Sequence, residues 1–272
     1  MIIKTKETEH SPLKKEDVTI LDGLVKLDRD NFICLAACPG MGKTSFALHM
    51  ALEYAKRSDK TVYIFTLEMS AEQIYNRMIC ILAEIDASSM RTDTLTDEQR
   101  KSADAAAQYL KSLNIIIDDE LRINVSQIKE RLNAVSDLGL VIIDYVALIS
   151  PEIITDNYKK ELTDIVASLS YIAKDKSIPL VAIDQVNRNV EYRKDKRPRL
   201  SDTRAGAEHF ANTVIFIYRE GCYECNVSDC SESEIAEIIV AKNRFDKTAA
   251  VPLEWQGRYT KFSEGYKINK NT

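Results

Sequence analysis

Gly40, Gly42, Lys43 and Thr44, inside "ACPGMGKTSFALHMA" (37–51), have the types and spacing of a phosphate cradle. Glycines running into a helix start let backbone N–H groups point at phosphate oxygens. The lysine brings a cation to the β- and γ-phosphates, and the threonine hydroxyl can ligate Mg²⁺. Ala37, Pro39, Met41 and Ser45 complete the loop. Glycine usually opens such a loop, five residues before Gly42, and Ala37 stands in its place. Alanine fits there if its backbone stays out of positive φ.

A cradle of this kind needs carboxylates near it. "LGLVIIDYV" leads through apolar residues to Asp144 at a strand's end, where it can hold Mg²⁺ through water. Hydrolysis also needs a group to orient and deprotonate the attacking water. Glu68 in "YIFTLEMS" is one candidate for that role. It reads equally as a solvated residue ahead of a helix capped by Ser70. Gln185 ends "IPLVAIDQ", where an amide can sense the γ-phosphate, and strand C-termini form the binding edge of an α/β sheet. Lys242 and Arg244 in "AKNR" are two apart on an expected strand and so point the same way, as on any charged edge strand.

The elements that must position these residues are legible in the pattern. Apolar strands are expected at "FICLAA", "TVYIFTL", "NIIIDD", "LVIIDYV", "PLVAIDQ", "TVIFIYR", "AEIIVAKN" and "AAVPLEW", with helices near 45–57, 71–84, 96–112, 124–136 and 158–175. Alternation of the two predicts an α/β fold: a mostly parallel, helix-covered sheet whose last strands, lacking helices between them, form antiparallel hairpins. Residues 1–17 are polar and read as a tail or docking arm, leaving 18–272 as one domain. No stretch has the length of a membrane span and the N-terminus lacks an apolar signal core, so a cytoplasmic location is expected. With a net charge of −5, contact with nucleic acid must come from a local basic patch or from backbone amides. Arg188, Arg193, Arg197 and Arg204 concentrate in such a patch, "NRNVEYRKDKRPRLSDTRAG".

In their order, "ACPGMGKTSFALHMA", "FTLEMSAEQIYNRM", "LVIIDYVALIS", "IAKDKSIPLVAIDQVNRNVEYRKDKRPRLSDTR", "ANTVIFIYRE" and "AEIIVAKNRFDKT" resemble the RecA-like C-terminal domain of DnaB-type replicative helicases, over about residues 30–263. The resemblance implies a RecA-like P-loop NTPase with ATP and Mg²⁺ as ligands, a loop that properly begins with alanine, Glu68 as the catalytic carboxylate, Asp144 as the Mg²⁺ aspartate and Gln185 as the coupling glutamine. It gives Lys242 and Arg244 a role in the neighbouring subunit's site, as an arginine finger does. That implies a homo-oligomeric, six-membered ring moving along single-stranded DNA, contacted near Arg204, Ala205 and Gly206, with a helicase loader or primase as a further partner. This sequence has no room for the family's N-terminal helical domain, which keeps open a regulatory or recombination-type RecA-like ATPase, or a non-catalytic partner of a longer helicase. "CYECNVSDC" is unabsorbed: Cys222 and Cys225 have zinc-knuckle spacing and Cys230 adds a thiol, but a fourth ligand is not evident and a surface loop is the expected reading.

Overall fold

Strands that are apolar on both faces must be covered on both faces. Phe32–Ala37 (β2), Leu138–Asp144 (β5) and Thr213–Tyr218 (β7) are buried almost throughout. With Thr61–Thr66 (β3), Ile115–Asp118 (β4) and Leu180–Gln185 (β6) they form the parallel centre of one sheet. The protein is represented by a computed structural model that describes residues 2–4, 24–27, 30–204, 206–224 and 233–264. Ser233–Asn243 (β8), Ala249–Gln256 (β9) and Lys261–Ser263 (β10) continue the sheet antiparallel, as expected of strands joined without helices. Ile2–Lys4 (β1) closes the other edge against β4, so the segment expected as a tail contributes a short strand; its residues 5–17 lie outside the described residues. The strand order is β1-β4-β3-β5-β6-β2-β7-β8-β9-β10.

The helices follow the expected periods: Lys43–Arg57 (α1), Ala71–Ala83 (α2), Asp97–Ser112 (α4), Val125–Asn133 (α5) and Tyr158–Lys176 (α6). Their starts are written locally. Ser70 with Gln73, Thr96 with Gln99 and Asn124 with Gln127 each form a reciprocal capping box that satisfies orphan N–H groups. Ala87–Thr92 (α3), Ala207–Phe210 (α7), Gly221–Glu224 (α8), β1 and β10 were not expected, because elements this short carry no readable period. No helix among the described residues is long and apolar enough to cross a membrane.

Two consequences position the site. β6 lies between β2 and β5, so the ends of β3, β5, β6 and β2 stand side by side along one edge of the sheet. At about 4.8 Å per strand they span roughly 14 Å. Second, β8 runs antiparallel to β7, so its C-terminal end lies at the opposite edge: Ile33 pairs with Thr213, and Thr213 with Asn243.

Candidate nucleotide site

The loop from Cys38 to Gly42 connects β2 to α1 as a cradle requires. Gly40 and Gly42 take positive φ, 77° and 94°, and Phe46 N–H donates to the Gly42 carbonyl to start the helix. Ala37 is still part of β2 and keeps extended backbone, which is the condition under which alanine can stand at this position. Lys43 Nζ donates to the carbonyls of Ala37 (3.2 Å) and Cys38 (3.0 Å), which holds the ammonium over the loop. Burial lowers its pKa; the charges of Asp144, Cys38, Asp184 and Glu68 oppose that.

Thr44 Oγ1 donates to Asp144 Oδ2 at 2.6 Å, joining the first turn of α1 to the end of β5. Asp144 is buried, and that burial raises its pKa against the Thr44 bond and the nearby charge of Lys43. A buried carboxylate in this state favours a cation beside it. The Thr44–Asp144 pair therefore fits the Mg²⁺ expected from the sequence: one hydroxyl and one carboxylate, both oxygen donors suited to a hard cation. Glu68 follows β3, is exposed, and acts electrostatically on both Asp144 and Lys43. Ser70 does cap α2, but the cap uses Ser70 and Gln73 and leaves Glu68 out. Gln185 pairs with Ala37 across β6 and β2, and Val186 N–H donates to Ala37 O (3.3 Å), so the glutamine stands next to the loop's first residue.

Lys242 and Arg244 are brought together but not as two residues of one strand. β8 ends at Asn243, whose side chain accepts from the N–H groups of Phe245 and Asp246 and turns the chain, so Arg244 lies in the bend. A register shift facing Val214 and Ile215 further breaks the alternation. The two cations remain close: burial lowers the Lys242 pKa first, and the charge of Arg244 adds to it. Lys242 Nζ donates to Glu208 O at 2.6 Å, and Arg244 is exposed. Both sit level with the first residues of β2, roughly 10 to 13 Å of strand away from Ala37.

The basic stretch is largely neutralised by its own chain. Arg193 makes a forked pair with Asp202 (3.1 and 2.7 Å), and Arg197 pairs with Glu237 while lying 4.8 Å over the Tyr218 ring. These two were expected to meet phosphates; instead they shape the loop. Arg188 is exposed and makes no ion pair among the described residues. Arg204 is half-buried and its charge reaches Asp184 and Tyr145, beside the nucleotide edge. Gly206 takes φ +65 and starts α7; Ala205 lies outside the described residues. Cys222 is exposed, Cys225 and Cys230 lie outside the described residues, and no group of three or more His, Cys, Asp or Glu among those described could hold a metal.

Three residues of the site were not anticipated. Arg219, 8% exposed, donates to Gly40 O (2.8 Å) and to Glu234, and stacks 4.7 Å over Trp255. Arg77 of α2 acts on Asp144. Asp184 is buried at the end of β6. Only Asp184 left a local trace in the sequence, as a second polar residue beside Gln185 at the end of an apolar strand.

The family described as DnaB-like helicase C terminal domain matches residues 16–264. The chain is 38% identical over 263 residues to replicative DNA helicase DnaC of Bacillus subtilis (strain 168), covering 92% of this chain and 57% of that protein. It is 38% identical over 240 residues to replicative DNA helicase DnaB of Geobacillus stearothermophilus, covering 86% and 52%. The chain thus spans about half the length of the curated relatives it matches. The solved ATPase domain of G40P superposes with a TM-score of 0.80 at 29% identity, over 88% of this chain and 86% of that one. A DnaB-like replicative helicase, solved in a study of its interactions with primase, gives 0.80 at 29%, over 87% and 58%. A cradle, an aspartate and a glutamine on one sheet edge, in a chain so matched along its length, lead to one conclusion: the chain belongs to the DnaB-like helicase C-terminal domain family.

Proposed function

We propose that this chain is the motor domain of a cytoplasmic, DnaB-type helicase, a ring of six copies that hydrolyses ATP between subunits to move along single-stranded DNA. The observation that supports it most is the division of parts between two edges. Phosphate loop, Thr44–Asp144 pair, Glu68 and Gln185 share one edge, while Lys242 and Arg244 stand at the other, farther from their own loop than a side chain spans.

In this reading the N–H groups of the loop and Lys43 hold the β- and γ-phosphates. Mg²⁺, held through Thr44 Oγ1 and Asp144, would draw charge from the phosphoryl oxygens. Glu68 takes the proton of the attacking water as its oxygen bonds to the γ-phosphorus, and the bond from phosphorus to the bridging oxygen breaks to leave ADP. Gln185 faces the γ-phosphoryl group from the strand between the cradle and Asp144. Arg188, Arg204 and the amides around Gly206 meet DNA phosphates, with Arg193 and Arg197 holding the loop in shape.

The test is turnover and forked-duplex unwinding on wild type and Glu68→Gln. Glu68→Gln should lose at least about a hundredfold in turnover while still binding ATP, and wild type should unwind the fork. Near-normal turnover in Glu68→Gln removes Glu68 from this role, and turnover without unwinding contradicts the helicase reading.

A further inference from the structure

Asp184 has no part in the chemistry above, yet it stands among all of it. It is 2% exposed, next to Gln185 in sequence and paired with Ala36 of β2. A carboxylate that deep is normally bonded at both oxygens, because an unpaired buried charge is costly. Here Oδ1 accepts the backbone N–H of Gln185 at 2.7 Å, and Oδ2 is buried without a close hydrogen-bond partner, the backbone N–H of Arg204 approaching the carboxylate from the DNA loop. Two cations reach it electrostatically from different elements: Arg204, ahead of α7, and Lys43, at the start of α1. Asp184 also acts on the Cys34 thiol of β2, as does Glu208 of α7. Burial raises the Asp184 pKa to about 6, against the Gln185 N–H, the charges of Arg204 and Lys43, and the backbone N–H of Arg204.

Arg204 and Lys43 belong to the two ends of the proposed motor, one to the DNA loop and one to the phosphate loop. We propose that Asp184 is the positioning residue that couples them: its carboxylate offsets Arg204, and when Arg204 turns to a DNA phosphate it bears instead on Lys43 and on the backbone of Gln185. The inference rests on the helicase reading and assigns its internal coupling to one side chain. It also accounts for a buried charge kept at a cost in stability. A carboxyl whose folded pKa is raised contributes stability below its unfolded pKa of about 4 and loses it as pH rises through about 6. Asparagine has the same shape, keeps an acceptor for Gln185 N–H and carries no charge.

The experiment measures ATP turnover with and without poly(dT) on the full chain, for wild type, Asp184→Asn and Asp184→Ser, across about pH 5 to 8, together with Tm. Wild-type stimulation by DNA should fall as pH drops through about 6. Both variants should show stimulation about tenfold lower at pH 8, with little pH dependence and KM for ATP near that of wild type. The Tm of Asp184→Asn at pH 8 should exceed that of wild type, and the gap should close on acidification. Wild-type stimulation with a wild-type pH profile in Asp184→Asn overturns the inference and leaves the helicase reading standing. So does a loss of Tm at pH 8 in both variants, which makes Asp184 structural. If poly(dT) stimulates wild type at no pH, the reading and the inference fall together.

Discussion

At the scale of single residues, the phosphate loop owes its shape to a residue outside it. Gly40 is held at positive φ with its carbonyl bonded to Arg219, whose guanidinium is fixed in turn by Glu234 and by the face of Trp255. Lysine is a poor replacement, because one ammonium cannot reproduce a planar fork and a stacked face together. Arg219→Lys should therefore raise KM for ATP about tenfold, the equivalent of one lost charge-assisted hydrogen bond, with a smaller effect on kcat. Steady-state kinetics read this directly, and an unchanged KM would show that the loop holds its shape without Arg219. The contact was not legible in the sequence. Arg219 closes "TVIFIYR" as any strand-end arginine does, and its carboxylate partner lies 15 residues away in the sequence. By contrast Lys43, Thr44 and Asp144 could be read, because cradle chemistry fixes residue types and local spacing rather than tertiary contacts.

At the scale of elements, the β9–β10 hairpin is the wall against which the cradle is built. Phe262 packs edge-on to Phe46 of α1 (5.4 Å) and against Trp255 (4.7 Å), and both rings face Gly42. A Cβ at Gly42 would meet Phe262 at 3.0 Å and Trp255 at 3.2 Å, whereas one at Gly40 would meet nothing within 4 Å. Both positions have positive φ, so Gly40→Ala should cost only backbone strain, about 1–2 kcal/mol. Gly42→Ala should add overpacking of about 1–3 kcal/mol and displace the hairpin. Denaturant titration should rank them in that order, and equal losses would contradict the hairpin's role. The strands and longer helices were legible because each carries a whole period of apolar residues. β10 has three residues and carries none, so the wall behind the cradle was invisible although the cradle was plain. The end of β8 misled for a related reason: alternation predicts side-chain direction only while the strand lasts, and Asn243 ends it.

At the scale of the molecule, the proposed motor divides its catalytic site between two sheet edges of the chain. A single copy cannot close them on one another, because β2 itself lies between. In the proposed motor the cation pair would serve only when a second copy presents it, stabilising charge spread over the γ-phosphoryl oxygens. The sequence suggests the neighbour's site only through resemblance; strand direction within one copy is compatible with it. Turnover per subunit should accordingly rise with protein concentration as interfaces form. The most direct test mixes Arg244→Ala protein with Lys43→Ala protein. Each alone should be inactive, the first for want of the finger and the second for want of the cradle. In mixed rings, an intact cradle from the first meets an intact finger from the second, and turnover should reappear at about a quarter of the interfaces of an equal mixture, if copies assort at random and each site works independently. If mixed rings demonstrably form and turnover stays at the level of the separate variants, Arg244 does not complete a neighbour's site and the two-edge arrangement is not the motor's mechanism.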